Sequence, residues 1–368
     1  MKKLSGVRLE AASHCETPPV VTAERTLDPA SMSISHDRRV HDTSRGHVWE
    51  AHVPAGVDLG DFYDQSNRMD VLAQDGTVYN LTALPKHAKD EFSLPYWHIS
   101  SLHGNATLHS DDMVADPSRH VISEYEDNIF AVGYWFYLWR SWVMRVSHVN
   151  AARGNVTVAL EENPLYGLYV GGRFRLLNVV GSIASPGEWA VDFKQRKLFF
   201  WPLPTTHGSE DKQKHNSDNF ASKRPGGISI SRHLEQSLLT VERSARISVE
   251  GIRFRGLRNT VVLFQDCVDC ALTRVEVSAV GERAVDIIGG EKVLVDSCYF
   301  HHTGAGSMNV TAGNSQTLTP SGHIIRFAQQ QQNLDVRAVV CCVLHLMSIY
   351  LLGVGFISSH IYEESLGL

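Results

Sequence analysis

Pairs of apolar residues separated by one position recur with a fixed period in the second half of the chain. The segment divides without a gap into three units of 23 residues, 245–267, 268–290 and 291–313. Aligned on one another, the units give six apolar columns: Ile247/Cys270/Val293, Val249/Leu272/Val295, Ile252/Val275/Cys298, Phe254/Val277/Phe300, Val262/Val285/Met308 and Phe264/Ile287/Val310. Because only 43% of the chain is hydrophobic, this agreement indicates an internal structural repeat.

The spacing inside each unit predicts the kind of repeat. Apolar residues pair at positions i and i+2 three times per unit, which is typical of strands that turn one face inward. A coil of three strands cannot bury its inner face alone, so successive coils stack about 4.8 Å apart and share one core. The sequence therefore predicts an all-β fold, a right-handed parallel β-helix with three strands in each 23-residue coil.

A leucine-rich repeat is the structural alternative, because its L-x-x-L-x-L pattern is matched by Val249, Ile252 and Phe254. That repeat requires an asparagine three positions later. The three units carry other residues at this position, namely Leu257, Val280 and Thr303. The β-helix is therefore favoured.

The rest of the chain divides by its pattern into further regions. Residues 1–45 are polar without periodicity, and we predict loop or disorder for them. Residues 46–206 alternate short apolar runs with polar turns, which indicates a β-rich accessory domain with a hairpin at 187–202. The β-helix is expected over 222–327, with a degenerate first coil in residues 222–244 and a further coil that begins at His323.

A hydrophobic tail follows at residues 338–358, in which His345 is the only ionisable side chain apart from cysteines and a tyrosine. As a helix it would span about 31 Å, enough to cross a bilayer. Three interpretations stay open: a single transmembrane helix, a helix that caps the coil, or sequence foreign to the native protein, which would make the chain a fragment. The N-terminus has no recognisable secretory signal, so the predicted location is a single-pass membrane protein or an extracellular one.

Net charge and cysteine spacing limit the classes of function. The formal net charge of −6 gives no basic surface for nucleic acid. Cys267 and Cys270 form a CxxC pair, but no second pair stands at the spacing that a zinc site needs. Since Cys270 and Cys298 fall in inward columns, we interpret these thiols as buried apolar groups, and we predict no metal ligand among the residues.

The outward-facing columns carry the candidate chemistry. Stacking brings Arg253, Glu276 and His301 to one surface, and Asp286 lies on the outward column of the third strand. A base, an acid and an aromatic ring on one face are what glycosidic cleavage or sugar binding requires. The alternative is an ordinary cross-coil ion pair between Arg253 and Glu276, worth less than about 1 kcal/mol. We expect His301 and the adjacent His302 to point to opposite faces of their strand.

The chain resembles a known family over roughly residues 45–327. The coils resemble those of the right-handed parallel β-helix carbohydrate-active proteins of the pectin-lyase-like superfamily. The other segments that are similar to this family are Cys298–Gly306, Thr317–Gly322, Pro186–Trp189, Leu198–Pro202 and Gly133–Trp142. No motif matches a catalytic signature of the family closely enough to assign roles residue by residue.

The resemblance implies a protein that binds a polysaccharide or glycan along one outer face of the coil. It also implies cleavage, of either the glycoside hydrolase or the polysaccharide lyase type. Calcium is implied by family analogy only, since no acidic cluster with ligand spacing is visible. The alternative function is a non-catalytic β-helix that binds glycan or protein and is anchored in a membrane through residues 338–358.

Overall fold

The structure, a computed structural model, describes most of the chain. The described residues are 6–12, 17–62, 68–72, 76–86, 95–123, 128–136, 141–159, 167–204, 225–314 and 316–326, with the backbone of 329–331 and 350–352. Strands predominate, and the repeat forms a β-solenoid of about three turns with coils of about 23 residues. The predicted β-solenoid architecture is thus confirmed, while its right-handed sense stays a prediction.

Three parallel sheets surround the solenoid core. The first contains Arg8–Glu10, Ser248–Glu250, Ala271–Thr273, Leu294–Asp296, Ile324–Arg326 and Tyr350–Leu352. The second contains Val20–Thr22, Arg253–Arg255, Glu276–Val280, Tyr299–Thr303 and Gln329–Gln331. The third contains Leu239–Glu242, Val262–Gln265, Arg283–Ile288 and Gly306–Thr311. The strands pair in the predicted register, as where Val249 pairs with Leu272 and Leu272 with Val295.

The predicted apolar columns form the solenoid core. All their members are buried except Met308 and Val310, which are partly buried and pack against the same core in the last complete coil. Burial of a Val, Leu or Phe side chain stabilises the fold by about 1.5–3 kcal/mol. Stacking these columns is therefore the main source of stability that the repeat provides.

Residues with left-handed backbone make the corners between the sheets. Four columns have positive φ in every coil: Arg243/Asp266/Gly289, Arg246/Asp269/Lys292, Gly251/Arg274/Ser297 and Gly256/Ala279/His302. Non-glycine residues are disfavoured in this region by about 1–2 kcal/mol each. The fold tolerates this free-energy cost because a single left-handed residue turns the chain without adding to the coil length. At Gly256 a side chain is also excluded, since a Cβ would lie 2.4 Å from Glu24 Cγ.

The N-terminal segment differs from the predicted loop or disorder. Arg8–Glu10 pairs in parallel with Ser248–Glu250, and Val20–Thr22 pairs with Arg253–Arg255. The segment thereby supplies two sides of the first coil, and Leu239–Glu242 supplies the third side. The prediction was wrong because each strand is only three residues long and takes its register from a partner far along the chain.

The region between these segments forms three further sheets, with largely antiparallel pairing. One follows the order Ser101–His103, Thr107–His109, Asn155–Val158, Trp142–Asn150, Phe130–Tyr134, Arg173–Leu177 and Ala83–Leu84, with Trp97–His98 also on Arg173–Leu177. Another follows the order Met32–Ile34, Trp49–His52, Lys197–Phe200, Glu188–Asp192 and Asn80–Leu81, and the smallest has Arg25–Thr26, Ser229–Ile230 and Val71–Leu72. The described helices are Pro29–Ser31, Asp42–Ser44, Asp111–Ala115, Pro117–Val121, Ala151–Arg153 and Val180–Ser182. We call this part the accessory region.

Two sequence features of the accessory region have clear structural roles. The predicted hairpin is formed, with Trp189 opposite Phe200. The aromatic run that begins at Gly133 enters the core, where Tyr134 and Trp135 are buried. Ile230, predicted to belong to a degenerate first coil, instead pairs with Arg25 and Val71 in the smallest sheet.

A buried arginine joins the solenoid to the accessory region. The Arg258 side chain is fully buried, its Nε and Nη2 donate to the Ser231 carbonyl at 3.2 and 3.1 Å, and Nη2 donates to the Asp58 carbonyl at 2.6 Å. Burial lowers the pKa of Arg258 to about 10, which keeps the guanidinium charged at neutral pH. The charge is further balanced by Asp58 Oδ2 at 3.4 Å from Nη1.

The hydrophobic tail predicted at residues 338–358 lies outside the described residues, apart from three backbone positions. Those three, Tyr350–Leu352, form a strand that pairs in parallel with Ile324–Arg326, so the predicted hydrophobic helix is not confirmed. Ile324–Arg326 itself pairs with Leu294–Asp296, as the further coil predicted at His323 requires. Across the described segments, none of the helices has the length and apolar character that a membrane crossing would need.

We predict that Arg258→Met lowers the free energy of unfolding by about 2–4 kcal/mol, because it leaves buried carbonyl oxygens without their donor. Urea denaturation of the full chain measures this. The control is Arg274→Met, which removes an ion pair with Glu250 from a side chain that is 64% exposed, and should cost less than about 1 kcal/mol. Equal losses in the two variants would contradict a special role for Arg258.

Candidate functional site

The second sheet brings together three of the four predicted site residues. Strand pairing places Arg253 beside Glu276, and Ser278 beside His301. Arg253 Nε lies 2.8 Å from Glu276 Oε2, and His301 Nε2 lies 3.3 Å from Glu276 Oε1. The three side chains therefore share one surface, as the stacking predicted.

The two adjacent histidines meet, contrary to the expectation that they point to opposite faces. Their Nδ1 atoms are 2.7 Å apart, and the Tyr299 ring stacks on the His301 ring with centroids 4.5 Å apart. The expectation was wrong because His302 has a φ of 53°, so the alternation of an extended strand ends there.

The polar side chains of this surface already have hydrogen-bond or ion-pair partners among themselves. Burial first, and then the neighbouring His301 and Arg68, lower the pKa of His302 to about 4, so its ring is neutral at physiological pH. Both nitrogens of His301 and both carboxylate oxygens of Glu276 are engaged in the contacts above. A substrate that used one of these groups would have to displace an existing partner. Their catalytic role stays a prediction.

Asp286, the fourth predicted residue, lies in a separate cluster on the third sheet. It pairs with Leu263 on one side and Asn309 on the other, as the outward column predicted. Thr260 Oγ1 lies 3.2 Å from Asp286 Oδ2 and also 3.2 Å from Glu282 Oε2. One hydroxyl thus bridges two carboxylates.

An arginine balances part of the charge in this cluster. Arg283 Nη1 lies 2.9 Å from Glu282 Oε1 and 3.9 Å from Asp286 Oδ2. Because the first contact is much shorter, the guanidinium serves chiefly Glu282. Arg283 therefore compensates the negative charge of an ionised Asp286 only weakly.

The proton affinity of Asp286 is raised by its surroundings. Burial is the largest cause and raises the pKa of the carboxyl above its ordinary value, while Arg283 and Thr260 lower it and Glu282 raises it again. Asn309 favours ionisation only slightly. Among the described residues, no donor meets the buried Oδ1 atom with hydrogen-bonding geometry. With 15% of its side chain exposed, Asp286 remains within reach of solvent.

Sequence reasoning missed Thr260, Glu282 and Arg283. Thr260 and Glu282 precede the third strand of their coils and Arg283 is the first residue of its strand, in the part of each unit where no apolar alternation marks a position. Ala284 and Val285 are both buried, which shows that the alternation is broken there. The signal that was available is the 23-residue period, which sets Thr260 one coil before Arg283 and hence beside Glu282.

The sequence also raised the questions of what state the cysteine thiols are in and whether a metal ion is bound. Cys267, Cys270 and Cys298 are free and buried, and burial raises the pKa of Cys298 to about 11. In the part of the chain that the structure describes, no group of three or more His, Cys, Asp or Glu side chains is arranged to hold a metal ion. No residue is therefore assigned to calcium.

Comparison with known proteins gives little beyond this geometry. No protein-family model matches the chain, and no curated protein matches it. A solved structure named "Glycoside hydrolase" aligns with 89% of this chain and 85% of its own, at 9% identity and a TM-score of 0.40. At this level of likeness the function of that protein is not transferred to this chain.

Asp286→Asn should make the protein more stable at neutral pH. The folded state binds the Asp286 proton more tightly than the unfolded state does, so ionisation costs stability as pH rises from the ordinary pKa, 3.8, through the raised one. Below that window the carboxyl is protonated in both states and the cost vanishes. Thermal unfolding of both proteins between about pH 3 and pH 8 measures the difference.

The matched control is Asp296→Asn, because Asp296 Oδ2 lies 3.0 Å from Arg326 Nη2 in an ion pair. That variant should show no gain in stability as pH rises. If Asp286→Asn behaved like this control across the pH range, the raised pKa of Asp286 would be wrong.

Proposed function

We propose that this protein is a carbohydrate-active β-solenoid that hydrolyses glycosidic bonds at the third sheet. Asp286 is the general acid and Glu282 is the second carboxylate. The observation that supports this proposal is a half-buried carboxyl of raised pKa beside another carboxylate that has its own arginine. Two carboxyl groups whose surroundings separate their proton affinities are the arrangement that glycoside hydrolysis uses.

The spacing of the two carboxylates is compatible with a double displacement. Both oxygens lie 3.2 Å from Thr260 Oγ1, so they cannot be further apart than twice this distance. Retaining glycosidases hold their carboxyl groups about 5–5.5 Å apart, whereas inverting ones need about 6.5–9.5 Å to admit a water molecule. The upper bound, which holds for one oxygen of each carboxyl group, accommodates the closer arrangement, and we propose a retaining mechanism on that basis.

The residues divide the reaction into two balanced steps. Asp286 donates its proton to the leaving oxygen while a Glu282 oxygen bonds to the anomeric carbon and the glycosidic bond breaks. A water molecule then attacks the same carbon, Asp286 takes up its proton, and Glu282 is released. Arg283 balances the charge that Glu282 carries before and after the intermediate.

A second function is supported by the cluster on the second sheet. Its members form mutual contacts, and such a surface can bind glycan without turnover. Tyr299 and His301 lie in a parallel stack there, with an interplanar angle of 20°. Under this alternative the protein is a non-catalytic glycan-binding module. For either function a polysaccharide substrate is consistent with an extracellular location, which stays a prediction.

Asp286→Asn should lower the rate of polysaccharide cleavage by about 10²–10⁴-fold, the range that one general acid supplies. Glu282→Gln should cause a comparable loss, because no covalent intermediate can form. The assay measures new reducing ends released from xylan, galactan, β-glucan and polygalacturonate. Asp296→Asn, on another face, is the control and should retain the rate.

The products distinguish the possible functions. Hydrolysis gives reducing ends alone, whereas a lyase also gives unsaturated ends that absorb in the ultraviolet. Unsaturated products, or full activity in Asp286→Asn, would rule out the proposed roles. Binding of the protein to one of these polysaccharides without any cleavage would favour the non-catalytic module.

A further inference from the structure

We infer that the solenoid takes an uncharged glycan as its ligand, not a uronate or sulfated one. This inference rests on the proposed function for its location, because it concerns the surface around Asp286 and the adjoining sheets. It follows from how the positive charges of the solenoid are distributed.

Each described arginine within a solenoid strand has a carboxylate partner within 4 Å. The pairs are Arg8 with Glu10 and Glu250, Arg253 with Glu276, Arg255 with Glu24, Arg283 with Glu282, and Arg326 with Asp296. Described solenoid strands contain no lysine. Along the described strands, positive charge is therefore offered only where a carboxylate already compensates it.

One of these partners, Glu24, comes from outside the solenoid strands. The ion pair of Arg255 is made with Glu24, which also accepts from Ser229 Oγ at 3.0 Å, so the accessory region fixes this guanidinium. Arg255 is only 22% exposed as a result. A ligand carboxylate would have to replace Glu24 to reach it.

The candidate site offers an anionic sugar no uncompensated positive charge. Asp286 is protonated as the general acid and therefore neutral, and the Glu282 carboxylate already pairs with the guanidinium of Arg283 at 2.9 Å. The cluster is partly buried, so salt screens it less than it screens an exposed pair. Within the described residues of this cluster an anionic sugar would find no unpaired cation, and the Glu282 carboxylate would oppose its binding.

Recognition of an acidic sugar normally requires a free cation in the site. Carboxylate and sulfate groups are held by arginine through paired hydrogen bonds, and a desolvated anion without such a partner is costly. Elimination at a uronate likewise needs a cation to stabilise the charge that develops beside its carboxyl group. The compensated arginines therefore favour a neutral sugar, held by hydroxyl hydrogen bonds and ring stacking.

The test uses substrates that differ only in charge. Polygalacturonate and alginate are each compared with their carboxyl-reduced, uncharged forms, alongside neutral xylan and β-glucan. Retention of the full chain is measured by affinity electrophoresis at low and moderate salt, and cleavage is measured on the same polymers. We expect retention at least tenfold stronger on uncharged polymers, with little salt dependence.

One variant should narrow this selectivity. Glu276→Gln removes the partner of Arg253, a side chain that is 46% exposed, and should raise retention on polygalacturonate severalfold at low salt. The matched control is the double variant Arg253→Gln with Glu276→Gln, which lacks the freed cation and should lose the gain. Salt should abolish the gain in the single variant.

The experiment distinguishes failure of this inference from failure of the proposed function. Retention of uncharged polymers without cleavage would keep this inference and overturn the proposed hydrolysis. Cleavage or retention of the anionic polymers as strong as that of their reduced forms would overturn this inference, even if Asp286 proved catalytic. Absence of retention on every polymer would overturn both.

Discussion

Backbone hydrogen bonds between successive coils are the interaction on which the solenoid depends. They join residues 22 or 24 positions apart, as where Ala271 donates to Ile247 and Leu294 to Cys270, and so hold each residue beside its counterpart 23 positions away. A coil that gained or lost one residue would turn its next apolar pair outward. The left-handed corner residues follow from this constraint, because they bend the chain at a fixed length. The outward columns are equally fixed, and they determine which polar side chains can meet.

The same constraint explains why the two polar clusters differ. In the second sheet Glu276 lies where strand pairing provides Arg253 and His301 as close partners, so the surface charges cancel. In the third sheet the irregular start of the strand turns Glu282 towards Asp286, and a single arginine must serve both carboxylates. On the second sheet the charged groups are paired, whereas the third sheet holds a carboxyl group whose raised pKa opposes ionisation. Groups of the second kind are common at sites of proton transfer.

The features that recur in every coil could be predicted from the sequence, whereas features that occur once were missed. The apolar columns and the outward positions of Glu276 and Asp286 follow from an alternation that is written three times. Thr260 and Glu282 precede any alternation, and the left-handed conformation of His302 interrupts a stretch that reads as a continuous strand. The buried Arg258 was missed for another reason. Its burial depends on the Asp58 and Ser231 carbonyls, which arrive from distant parts of the chain.

The shared first coil has a consequence for how the molecule is made. The hydrogen bond from Arg8 to Glu250 joins residues 242 positions apart, and two of the three sides of that coil come from the N-terminal segment. At a ribosomal rate of about 5–20 residues per second, Arg8–Glu10 waits on the order of ten seconds or more for its partner strand. During this time its backbone donors and acceptors, and the apolar Leu9, are without their final partners. Contacts of such sequence separation form slowly, so we expect the closing of this coil to be a late step of folding.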